Sequence, residues 1–169
     1  MNHPMHTASV PVFKQILNSL DAILSKTEEH ANTKKIDASV FLQARLSPDM
    51  FPLIRQVQIA ADFAKGVSAR LAGIDVPEFE DNETSFAGLR ARLAKTLTFI
   101  QALEPNLFDG SETREIVLRP GTPKEKKLSG SAYLLSYGLP QFFFHATTTY
   151  AILRHNGVEL GKRDFMGEY

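Results

Sequence analysis

Apolar residues return at three- and four-residue steps in several stretches of this chain, the spacing that places one buried stripe along a helix. In the first stretch the stripe is Val10, Phe13, Ile16, Leu17, Leu20, Ile23 and Leu24, with Ser9 as N-cap and Pro11 in the first turn, where its missing N–H is harmless. Asp37 to Leu46 is short and mixed and bridges to the second helix. Prolines at 48 and 52 mark a helix entrance, after which Leu53, Val57, Ala60, Ala64, Val67 and Leu71 carry a helix to about Ala72. Gly73 to Glu83 is acid-rich, contains Pro77, and is expected as an exposed loop. Capped by Thr84 or Ser85, the third helix has the cleanest stripe: Phe86, Leu89, Leu93, Leu97, Ile100 and Leu103.

The period changes between Glu104 and Gly130. Glu115 to Arg119 and Lys124 to Leu128 read as two short extended runs around the turn Pro120-Gly-Thr-Pro123, a solvent-facing hairpin whose lysines protect its edge. Ser129 to Tyr137 suggests a helical turn, and the fourth long helix is expected over Pro140 to Asn156, ended by a left-handed Gly157. Apolar residues at 158, 160, 165 and 166 are too many for a solvated end, so the tail should pack back on the bundle. The expected fold is all-α: four long helices in one bundle, with a small β-hairpin before the last.

Composition narrows this. A length of 169 residues with 43% apolar content suits one domain spanning 1–169. Nineteen basic and nineteen acidic residues cancel, leaving no field to gather nucleic acid or an anionic membrane surface. Absent cysteine excludes a disulfide, a thiolate nucleophile and cysteine-ligated metal. No basic stretch followed by an apolar one appears at Met1-Asn-His-Pro-Met-His6, and no apolar run approaches a membrane span, so a cytoplasmic protein is the expectation.

Candidate chemistry converges on His145, inside an aromatic run on the fourth helix. On that helix Thr149 follows one turn after His145, and Gln141, Thr148 and Ile152 lie on its other side. If this polar flank faces the edge of the second helix, His145, Gln141 and Thr149 meet Gln56 across the bundle and form a small-ligand pocket. A single buried histidine most often only satisfies hydrogen bonds. Metal ligation by His145, the one tentative ligand, would need help from His6, His30 or carboxylates. An acid–base role for His145 in a dry pocket, helped by Tyr150 or Thr149, stands beside metal ligation as an alternative, and no residue is assigned as catalytic. His155 suits the negative end of its helix, Arg154 a solvated surface, and Lys162, Arg163 and Asp164 exposed pairing.

Several segments resemble the DinB/YfiT-like helical-bundle superfamily, in a branch of unknown function. They are Leu46-Ser-Pro-Asp-Met-Phe-Pro-Leu53 with Gln56-Val-Gln-Ile-Ala60, then Phe144-His-Ala-Thr-Thr-Thr-Tyr-Ala-Ile-Leu-Arg-His-Asn-Gly157, and Gly161-Lys-Arg-Asp-Phe-Met-Gly167. The resemblance implies an up-down-down-up four-helix bundle and a homodimer. In better-known members one histidine of helix two and two of helix four, at HxxxH spacing, bind a divalent metal, and some activate a low-molecular-weight thiol for transfer. Here Gln56 and Gln58 stand in helix two and Thr149 replaces the second histidine of helix four, so no cofactor is expected. The function expected is a non-catalytic or small-ligand-binding homodimer. The alternative is a divergent metal-dependent transferase, related to thiol S-transferases, with zinc or nickel.

Overall fold

The computed structural model describes residues 3–169; the amino-terminal reading at Met1 and Asn2 lies outside them. The chain is mostly helical, with one two-stranded antiparallel sheet. In order come α1 (Pro4–Thr7), α2 (Val10–Lys34), α3 (Ala38–Leu42), α4 (Leu53–Ala72), α5 (Phe86–Gln101), a 3-10 turn (Pro105–Phe108), β1 (Glu115–Leu118), β2 (Lys126–Ser129), α6 (Gly130–Tyr133), a π turn (Leu134–Gly138), α7 (Leu139–His155) and α8 (Lys162–Met166).

Helix α2 runs well beyond its apolar stripe. The segment after Leu24 is polar, yet Thr27 and Ala31 are buried, and the Thr27 hydroxyl donates to the Ile23 carbonyl at 2.8 Å. Small and self-satisfied side chains thus continue the buried face where large apolar ones stop. Of the two cap candidates for α5 it is Ser85 that serves, its Oγ accepting from the Gly88 amide at 3.0 Å. Gly157 takes φ 87° just past α7, as its position predicts.

Helix α4 is the centre of the assembly, packed on α7 along one side and α5 along the other, while α2 contacts α5, α7 and α4. Leu53, Val57, Ala60, Ala64, Val67 and Leu71 of α4 are all buried. The small residues among them let neighbouring helices approach closely. The hairpin pairs Glu115 with Ser129 and Leu118 with Lys126, and only Ile116 of its residues is fully in the core. The tail returns as expected: Val158 and Leu160 are buried and α8 lies on α2, where Asp164 pairs with Lys26 at 2.5 Å.

Candidate functional site

The seam between α4 and α7 holds the residues singled out in the sequence. Gln56 Oε1 lies 2.7 Å from His145 Nδ1, and both side chains are buried. Gln56 Nε2 donates to the Phe51 carbonyl at 3.0 Å, which orients the amide. Its oxygen therefore faces the imidazole, and Nδ1 carries the proton that it donates. Burial pushes the His145 pKa below its ordinary value, and the nearby Arg55 charge adds to this. The result is a neutral imidazole with its lone pair on Nε2, which makes no hydrogen bond among the described residues.

Aromatic rings enclose this imidazole. Phe63 stacks nearly parallel to it, centroids 6.0 Å apart, and Phe144 meets it edge-on at 5.2 Å. The other expected members of the polar flank do not join. The Thr149 hydroxyl is fully buried and donates back to the His145 carbonyl at 2.9 Å, and Thr148 does the same to Phe144 at 2.7 Å. A helical threonine can satisfy its hydroxyl on its own helix more cheaply than across a seam. Gln141 instead lines a separate hollow with Tyr137, Pro140 and Phe144.

Just before α7 the helix widens. Pro140 has no amide hydrogen and its ring would collide with the carbonyl four residues back. The Leu139 amide bonds to the Leu134 carbonyl, five residues earlier, and the π turn results. A side chain at Gly138 would place its Cβ 2.7 Å from Val67 Cγ2, so glycine lets the turn press against α4. The turn brings Tyr137 beside Tyr133, rings stacked 5.8 Å apart, and against Phe63 at 5.8 Å. Burial raises the Tyr133 pKa, opposed by Arg70, which donates to its hydroxyl at 3.2 Å.

On the opposite edge of α4 lies a group of charges that the sequence reading passed over. The Arg92 side chain of α5 is 1% exposed and pairs with Asp62 and Asp81 at 2.9 Å and Glu83 at 3.0 Å. It also donates to the Glu80 carbonyl at 3.0 Å. Burial opposes its charge, but Glu83, Asp62 and Asp81 outweigh that and raise its pKa. Gln58 extends the network, donating to Glu83 at 2.7 Å and accepting from Arg55 at 2.9 Å. The acidic loop is thus partly a strap. Glu83 is half-buried, and Phe79 sits between the ammonium groups of Lys65 and Lys95, 4.1 and 4.0 Å from its ring. The signal was present: Arg92 follows Leu89 by three and precedes Thr96 by four, on the buried face of α5.

The donor set does not fit a divalent metal. Among the described residues no group of three or more His, Asp or Glu side chains is arranged to hold an ion. His6 packs edge-on against Phe108 and His30 against Phe41, so each is engaged away from His145. Gln56 already directs its oxygen to the imidazole, and Thr149 directs its hydroxyl to its own helix.

Comparisons with known proteins agree with this architecture. The family model for a domain of unknown function, DUF1993, matches residues 5–166. Among solved structures, the crystal structure of a DinB family member protein from Shewanella denitrificans is 42% identical and superposes with a TM-score of 0.91, covering 97% of this chain and 92% of that one. No curated protein matches. Spanning nearly all of the described helices, this match shows that the chain belongs to the DUF1993 family, a DinB-like family of helical proteins.

Proposed function

We propose that the protein is a non-catalytic, small-ligand-binding homodimer whose ligand contacts the aromatic wall in front of His145. The carrying observation is the direct 2.7 Å hydrogen bond between His145 and Gln56. The resemblance to the wider superfamily implies histidines of helix two and helix four that bind a divalent metal. Here an imidazole and an amide satisfy each other, leaving hydrogen bonding at Nε2 and stacking on Phe63, Phe144 and Tyr137 as the available chemistry. The connection 73–85, at about 3.3 Å per residue, is long enough to run back along α4, roughly 30 Å, which supports the up-down-down-up arrangement. Leu135 and Phe144 are 59% and 54% exposed near the start of α7, and that apolar surface supports pairing with a second copy.

A divergent metal-dependent transferase is the competing reading, and no specific observation favours it. Zinc and nickel titrations of protein purified without an affinity tag, followed by elemental analysis, separate the two. The ligand-binding reading expects no stoichiometric uptake. Stoichiometric metal that disappears in His145→Ala would overturn it. Light scattering at micromolar concentration should give two chains per particle, and a monomer there removes the dimer from the proposal.

A further inference from the structure

Phe63 and Tyr137 also line an open cavity of about 250 Å³, together with Val67 and Arg70 of α4, the exposed Arg119 just after β1, and Tyr133. Its polar edge consists almost entirely of donors. Arg70 uses Nη1 on the Gly66 carbonyl at 3.1 Å and on the Tyr133 hydroxyl at 3.2 Å. Its remaining N–H groups and the whole Arg119 guanidinium have no acceptor among the described residues. The Tyr133 hydroxyl accepts from Arg70, and neither its own proton nor the Tyr137 hydroxyl has a partner among the described residues. The one acid at the rim, Asp62, is committed to Arg92 and Lys65, each at 2.9 Å.

This concentration of donors is local. Of the three cations on α4, Arg55 pairs with Asp81 and Lys65 with Asp62, while Arg70 has no carboxylate partner among the described residues. The other wall is aromatic: the rings of Tyr133 and Tyr137 stack and Phe63 meets Tyr137 edge-on, each step 5.8 Å. At about 30 Å³ per water, the space suits a body on the order of ten heavy atoms. A ligand that satisfies both walls has one planar ring and one oxyanion.

We infer that this cavity binds a small aromatic carboxylate, its oxygens received by Arg70 and Arg119 and its ring set against Tyr137 and Phe63. Guanidinium groups match carboxylate geometry and hold it by charge-assisted hydrogen bonds. The inference rests on the ligand-binding reading above and adds to it the place and chemical class of the ligand. Because Phe63 stacks on His145 at 6.0 Å, occupancy should also register at that imidazole.

Calorimetry and NMR titration of the full chain with benzoate test this, beside benzyl alcohol, which lacks the charge, and inorganic phosphate, which lacks the ring. Benzoate should bind saturably, one per chain, at least about tenfold more tightly than either control, and should shift the His145 ring signals. Arg119 holds φ 52°, which glycine adopts without a steric clash. Arg119→Gly should therefore weaken benzoate about tenfold and leave the melting temperature unchanged. Arg70→Lys, which keeps the charge and loses the fork, should weaken it as well. Absence of saturable benzoate binding, or affinity undiminished in Arg119→Gly, overturns the inference. If benzyl alcohol shifts His145 while benzoate does not bind, the anion site falls and the ligand-binding reading survives. Failure of that reading shows separately, as stoichiometric zinc or nickel uptake.

Discussion

Along the side of α4 that faces α7, a buried polar pair is satisfied by one neutral hydrogen bond between Gln56 and His145. Along the side that faces α5, Arg92 is equally buried but keeps its charge, held by Asp62, Asp81 and Glu83. The difference follows from what each surrounding can supply. The α7 seam is walled by Phe63 and Phe144, so the imidazole gives up its charge rather than remain desolvated. At the α5 edge Asp62 and Asp81 stay partly in water, 38% and 41% exposed, so that desolvation falls mainly on the guanidinium and on Glu83, which is 10% exposed. Even so, Arg92 Nε is left without a partner among the described residues. The charged edge holds a loop through its ion pairs, and the neutral seam leaves an imidazole set among aromatic rings.

The comparison can be broken most forcefully at the charged edge. Arg92→Ala should lower stability by about 3 kcal/mol, measured by urea denaturation, and should free the loop 76–83 to rapid hydrogen exchange. A loss below about 1 kcal/mol would place this network with ordinary surface pairs.

At the neutral seam, Gln56→Leu and His145→Leu should each cost about 2 kcal/mol, since each leaves a buried group unpaired, whereas the double variant should recover most of that loss. Additive losses in this double-mutant cycle would mean that the two groups do not depend on each other. Returning to the strap, Phe79→Ala should cost about 1 kcal/mol through lost contact with Lys65 and Lys95. It should leave ligand titrations at the seam unchanged.

The smallest effect expected is the pH response. The folded chain holds the His145 pKa below the ordinary 6.5, so the unfolded chain takes up that proton first as pH falls. Stability should therefore decline as pH drops below about 6.5 and level off once the folded imidazole also protonates. Urea midpoints at about pH 7.5 and about pH 5.5 should differ less in His145→Leu than in the parent. His6, whose pKa burial and His3 also lower, should preserve part of the slope.

Much of the bundle was legible because each long helix announces itself through one periodic face. The stripes of the first three helices, the hairpin, the Gly157 terminus and the returning tail all depend on local patterns of apolar, small and turn-forming residues. Two features at the site were less accessible. The apolar stripe stops at Leu24 while α2 continues to Lys34, because Thr27 and Ala31 are buried without being large or strongly apolar. The π turn has a sequence cause in Pro140, but its register depends on Gly138 finding room against Val67.

For the candidate site, sequence periodicity placed His145 on a buried rim and Gln56 at the edge of its helix, and offered their meeting only on condition that the two faces turn toward each other. It did not separate Thr149, which turns to its own helix, from the residue that faces across the seam. Nor did it bring Arg70, Arg119, Tyr133 and Tyr137 to one cavity, since they come from α4, the hairpin, α6 and the turn before α7. What the sequence by itself determined is which faces are buried, because burial follows a repeat within one element. Which polar groups share a partner was decided only by the tertiary structure, because hydrogen bonds and ion pairs require distances between elements that no local repeat encodes.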